Sequence, residues 1–93
     1  MRITQVAWDE WTIEHIARHG VTPDEVEEVL FARPYIQRAR GRGKNAVYFA
    51  RGQTAAGRYL TIVFRYLGSL QARVITARDM NGSERKGYRG RIR

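Results

Sequence analysis

Cysteine is absent from this 93-residue chain. That excludes a disulfide framework, a thiol nucleophile and thiolate metal sites, and it fits a reducing compartment. Long apolar runs are absent too. None approaches the ~18 residues of a membrane span, and the N-terminus lacks the apolar core of a signal peptide, so a cytoplasmic protein with no membrane partner is expected. The length leaves no room for a second domain or a dinucleotide-binding unit. One domain over residues 1–93 is expected, with a small core and residues 89–93 as a flexible tail. Lysine is scarce, with Lys44 and Lys86 alone among 17 basic residues. Acidic residues are scarce after residue 30, where only Asp79 and Glu84 occur.

The charge that is present divides along the chain. Residues 1–30 carry seven acidic side chains against Arg2 and Arg18, a net of −5. Residues 31–93 carry fifteen basic side chains against two acidic ones, a net of +13. Fifteen of the basic residues are arginine. Solubility would be served as well by lysine, whereas arginine offers a planar fork that grips phosphate bidentately and stacks on bases. An RNA or DNA partner, or an acidic protein, is the implied counterpart of the basic two-thirds. The acidic N-terminal third reads either as a solvated face or as a surface for self-association with the basic part of another copy.

The element pattern is α+β. Met1 to Val6 is a weak strand signal. Asp9 reads as an N-cap with Trp8 as a staple residue before it. From Glu10 to His19, Trp11, Ile13, Ile16 and Ala17 approximate one helical face, and Gly20 suits the end of that helix. Thr22-Pro23-Asp24-Glu25 opens a second helix with a capping box and proline in the first turn. Val26, Val29 and Leu30 form its apolar stripe, and Arg33-Pro34 ends it. Arg38 to Lys44 reads as a basic, glycine-rich loop. Strands follow at Ala46–Gly52, Arg58–Leu67 and Arg73–Asp79, the middle one alternating clearly, with Leu60, Ile62, Phe64 and Tyr66 opposite Tyr59, Thr61, Val63 and Arg65. Asn81-Gly82 breaks the last strand, and Ser83 can cap a final helical turn. The expected architecture is two N-terminal helices packed on an antiparallel sheet of three to four strands, closed by a short C-terminal helix.

Chemistry must come from what remains. His15 and His19 share a helix face, but no further element completes a metal-ligand set, so no metal and no cofactor are expected. Gly41-Arg42-Gly43-Lys44 resembles half of a phosphate loop without the following Ser/Thr and helix, and suits a flexible basic contact better. Strand parity places Arg51 with Val47 and Phe49, Arg65 with Thr61 and Val63, and Arg78 with Val74 and Thr76. If the opposite face packs on the helices, arginines from neighbouring strands gather on one surface. Such a cluster suits the charge that builds on a phosphodiester during RNA cleavage. Glu84 is a candidate for proton transfer or for orienting an arginine, and Tyr88 for stacking a base or moving a proton. The bland alternative is a set of surface ion pairs worth ~0–1 kcal/mol each.

Trp8-Asp9-Glu10, His19-Gly20-Val21 with Asp24-Glu25, Gly57-Arg58-Tyr59-Leu60, Arg73-Val74-Ile75-Thr76-Ala77-Arg78, and Glu84-Arg85 followed by Tyr88 occur in that order over about residues 5–88. In this order and spacing they resemble the BrnT family of bacterial type II toxins. The resemblance implies a RelE-like fold and a ribonuclease toxin. It implies a BrnA-type antitoxin with a ribbon-helix-helix DNA-binding part, in a complex that represses its own operon. It singles out Arg78, Glu84 and Arg85. Where the family often has an arginine at the start of the first long strand, this chain has Val47, with Arg51 further along the same face and Lys44 before it.

The leading expectation is therefore a small, metal-independent endoribonuclease that inhibits translation. Arg51, Arg65 and Arg78 would bind the scissile phosphate, Glu84 or Tyr88 would handle protons, and Arg85 would orient or bind. Arg42, Lys44 and Arg73 would hold flanking RNA. A homodimer or a two-plus-two assembly with the antitoxin is compatible with the charge division. The alternative is a non-catalytic module that binds RNA or the antitoxin through its basic surface. A helix-turn-helix DNA reader is disfavoured, because the second helix carries four acidic residues and would be repelled by DNA.

Overall fold

The helix starts follow from the caps that the sequence supplies. The computed structural model describes residues 1–91. Asp9 accepts a hydrogen bond from the Thr12 amide at 2.7 Å and opens α1 (Glu10–Ala17). Thr22 and Glu25 cap α2 (Pro23–Phe31) reciprocally, each side chain accepting from the other's amide. Gly20, at φ +71°, makes the left-handed step between the helices that other residues adopt only with strain.

The expected apolar face of α1 holds at Ile16 but fails at its other positions. Thr12 and Ile16 are the buried residues, whereas Trp11 is 67% exposed and Ile13 37%. The helix has only two turns and packs along β5, so a narrow i, i+4 stripe is all that reaches the core.

The sheet has five strands, β1 (Gln5–Ala7), β2 (Tyr35–Arg40), β3 (Val47–Gln53), β4 (Tyr59–Gly68) and β5 (Gln71–Asp79), in the order β1-β5-β4-β3-β2. It is mixed rather than antiparallel, because β1 runs parallel to β5, pairing Gln5 with Gln71 and Ala7 with Arg73. The supposed basic loop is also corrected. Arg38 and Arg40 lie in edge strand β2, and only the stretch beyond them turns, through a 3-10 turn at Gly43–Asn45. This strand is held by its ladder to β3 rather than by burial, so no apolar alternation marks it. Finally, α3 (Gly82–Arg91) is a ten-residue helix. Arg89 to Arg91 are thus helical rather than a loose tail, and the rest of that expected tail, 92–93, lies outside the described residues.

The core lies between one sheet face and the two N-terminal helices. Ile16, Val21, Val26, Val29 and Leu30 meet Ala50, Leu60, Ile62, Phe64, Ala72, Val74 and Ala77, all at most 2% exposed. Gly52 allows the close approach of α2 to β3: a Cβ there would stand 2.7 Å from Val29 Cγ1. Much of the acidic charge serves this layer internally. Glu27 accepts from the Trp8 indole at 2.8 Å and Glu28 from the Ala55 amide at 2.7 Å. Glu25 and Asp79 both pair with Arg58, which also donates to the His19 and Gly20 carbonyls. Arg58 therefore ties the turn between α1 and α2 to the start of β4 and the end of β5.

Candidate active site

A β-bulge decides which arginines face away from the core. In the β4–β5 ladder Val63 pairs with Thr76 and Phe64 with Val74, which leaves Ile75 without a partner. An extra residue reverses the alternation beyond it. Val74 and Ala77 both face the helices, and Arg78 faces away. The expected grouping of Arg78 with Val74 on one face is therefore wrong, because uninterrupted alternation would have aimed Arg78 at the core.

Past the bulge, one cross-strand row spans four strands. Tyr35 pairs with Arg51, Arg51 with Thr61, and Thr61 with Arg78. The start of α3 closes over this row. Asn81, not Ser83, is its N-cap. Its Oδ1 accepts from the Glu84 amide at 2.8 Å, and Glu84 Oε1 accepts from the Asn81 amide at 3.0 Å. That cap aims the Glu84 carboxylate down onto the row. Arg78 donates to it from both terminal nitrogens, at 2.7 and 2.8 Å. Arg51 donates at 3.1 Å and the Thr61 hydroxyl at 3.2 Å. Arg51 is held from behind by stacking on Phe49, 4.1 Å from the ring centre.

The electrostatics follow from these contacts. The hydrogen bonds from Arg78 lead in holding the Glu84 carboxyl down at about 2, with the Asn81 amide and the charges of Arg78 and Arg51 adding to them against the cost of burial. The same pairing raises Arg78. Tyr88 moves the other way: burial, then the neighbouring Tyr59, pushes its phenol above the ordinary value of 10. Tyr59 is pulled below that value, first by a hydrogen bond from Arg89.

Beside the row lies a cleft of about 280 Å³, lined by Tyr35, Gln37, Arg51, Ser83, Glu84, Gly87, Tyr88 and Arg91. The expected residues Arg51, Glu84 and Tyr88 line it, and Arg78 joins through Glu84. Arg85 is on the same helix but stacks on Tyr59, 4.1 Å from the ring centre. Arg65 and Arg73 pair with each other across β4 and β5. Arg65 is four residues from Thr61, about 13 Å along the strand. It donates to the Asn45 carbonyl at 3.4 Å, while Arg73 pairs with Asp9 at 3.5 Å. Arg42 and Lys44 are exposed at the 3-10 turn. The cleft residues Tyr35, Gln37 and Arg91, and Thr61 beneath Glu84, were not legible as site residues. Thr61 sat on a recognised strand face, but β2 and the end of α3 carried no periodic signal. Among the described residues, no cluster of three His, Asp or Glu side chains could hold a metal ion.

The arrangement converges two guanidinium groups on one carboxylate, that of Glu84, beside a partly enclosed aromatic and polar cleft. That geometry suits an oxyanion of a phosphodiester. A family model described as ribonuclease toxin, BrnT, of type II toxin-antitoxin system matches residues 8–84. No curated protein and no solved structure matches the chain.

Proposed function

This chain belongs to the BrnT family of ribonuclease toxins of type II toxin-antitoxin systems, and from that membership we propose that it is an endoribonuclease whose Arg51 and Arg78 bind the scissile phosphate. The observation that carries this reading is the convergence of guanidinium groups from β3 and β5 on a single carboxylate. A phosphate bears the same charge and can offer the same paired oxygens, so RNA replaces Glu84 as their acceptor.

Cleavage uses the RNA's own 2′-hydroxyl and needs no metal. The 2′-oxygen bonds to phosphorus as the bond to the 5′-oxygen breaks, leaving a 2′,3′-cyclic phosphate and a free 5′-hydroxyl. Arg51 and Arg78 stabilise the charge that accumulates on the phosphate oxygens. Tyr88, a phenol protonated at neutral pH and pushed further that way by burial, supplies the proton to the departing 5′-oxygen and takes one back from water. Glu84 is too weak a base at about 2 and acts as a positioning residue that holds both arginines in place between encounters with RNA. The 2′-hydroxyl proton goes to solvent hydroxide. Arg85 steadies α3 through Tyr59, while Arg65, Arg73, Arg42 and Lys44 hold flanking RNA on the outer sheet face. Cutting RNA in the cytoplasm stops translation. A BrnA-type antitoxin with a ribbon-helix-helix DNA-binding part neutralises the activity, in a two-plus-two assembly.

The test is inducible expression of the chain and of Arg78→Ala, together with incubation of both purified proteins with RNA in chelator. Growth arrest and cyclic-phosphate ends from the native chain, lost in Arg78→Ala, are expected. Intact RNA in chelator would overturn the metal-independent reading. The saturation of Glu84 by the two arginines favours one other reading, a non-catalytic anion-binding module, which would retard RNA in a gel without new ends.

A further inference from the structure

We infer that the cleft reads one nucleobase next to the cut, through Gln37, and favours uracil and guanine, which carry a carbonyl oxygen at the ring position where cytosine and adenine carry an amino group; the inference rests on the reading of this cleft as an RNA site. The cleft extends from Arg51 and Glu84 past Tyr35 to Gln37. Tyr35 is the direct cross-strand neighbour of Arg51, and Gln37 is the next residue of β2 on that face, about 6.7 Å further along. A base attached to a sugar whose phosphate sits at Arg51 extends in that direction. The walls suit a flat ring. The Arg91 guanidinium lies over the Tyr35 ring, 4.6 Å from its centre, and Tyr88, one turn earlier on α3, also lines the cleft. Planar cations and aromatic rings both stack on bases of any identity.

Identity then depends on the polar group at the end. Gln37 would present either an acceptor or donors if its amide could turn freely. In the structure the Tyr35 hydroxyl donates to Gln37 Oε1 at 2.9 Å, and this arrangement leaves both NH₂ donors for a ligand. Where uracil and guanine carry a carbonyl oxygen, cytosine and adenine carry an amino group in the corresponding ring position. An NH₂ bonds the first and is repelled by the second. Tyr35 is thus a positioning residue for Gln37, and the arrangement it makes with Oε1 is the one in which the glutamine donates to the base.

The experiment uses the full chain and fluorescein-labelled trinucleotides of uridine or adenosine, 2′-deoxy so that they bind without being cut, with affinities read by anisotropy at one salt concentration. Because adenine stacks more strongly than uracil, the quantity to follow is the ratio of the two affinities. Gln37→Ala is expected to shift that ratio toward adenine by about three- to tenfold, the worth of one hydrogen bond. Gln37→Glu should shift it further, since a carboxylate accepts from the amino group. Tyr35→Phe should narrow the preference without a change at residue 37, by freeing the amide to turn. An unchanged ratio in Gln37→Ala, with both oligonucleotides still bound, overturns the base-reading and leaves the ribonuclease reading intact. Failure of the native chain to bind either oligonucleotide at low salt also overturns the base-reading. Cyclic-phosphate ends from native RNA, scored separately, decide whether the ribonuclease reading stands.

Discussion

Replacing Glu84 by glutamine isolates the ionic part of the clamp. The carboxylate accepts two hydrogen bonds from Arg78, one from Arg51, one from Thr61 and one from the Asn81 amide. Glutamine keeps one acceptor oxygen, so it can retain the cap on α3 but not the charge-assisted fork. The magnitude follows from proton linkage. A carboxyl held at about 2 rather than its ordinary 4.5 stabilises the folded chain by about 3 kcal/mol at neutral pH. Partial exposure of Arg78, at 41%, reduces that to about 2 kcal/mol through solvent screening. In a domain of this size such a loss lowers Tm by roughly 8–16 °C.

The sign sets the pH window. The folded value lies below the ordinary one, so the stabilisation is complete above pH 4.5 and is lost as pH falls toward about 2. Denaturant titrations of the native chain and Glu84→Gln from pH 7 to pH 2.5 should therefore converge, with most of the gap closing below pH 4.5. The freed arginines should also make Glu84→Gln the variant that inorganic phosphate stabilises more. A gap that stays constant across the titration would refute the ionic clamp, because the side chain would then act through packing alone.

Other expectations follow from separate parts of the molecule. Arg58→Met removes the donor shared by Glu25, Asp79 and two backbone carbonyls, and should cost about 2–3 kcal/mol in urea unfolding. Gly52→Ala drives a methyl group to 2.7 Å from Val29 Cγ1, and should cost about 1–3 kcal/mol with little change in RNA affinity. With Glu84 held low and Tyr88 held high, no titration of either group interrupts the rate between pH 6 and pH 8. The cleavage rate should rise about tenfold per pH unit there, as hydroxide does, in single-turnover assays. A bell-shaped profile centred near neutrality would instead require a protein base.

The caps at Asp9 and Thr22, the alternation of β4 and the division of charge were legible because each depends on neighbours within a few residues. The same local rules went astray at α1, where a two-turn helix at the side of β5 buries Thr12 and leaves Trp11 out. They also missed β2, whose pairing with β3 substitutes for an apolar pattern. Of the site, Arg51, Arg78, Glu84 and Tyr88 could be named from residue type and from family likeness. Their meeting point could not.

By itself, the amino-acid order determined a cysteine-free α+β chain with its arginines gathered in the sheet and the last helix, and it marked the family to which the chain belongs. Tertiary structure alone decided which of those arginines work together. Strand register and one unpaired residue, Ile75, turned Arg78 outward into line with Thr61 and Arg51. Packing of α3 against that row placed Glu84 between the two guanidinium groups and left Arg65 and Arg73 further along the sheet. The physical reason is range: caps and alternation are settled by covalent neighbours, whereas register and bulges are settled by strands that meet only when the chain has folded.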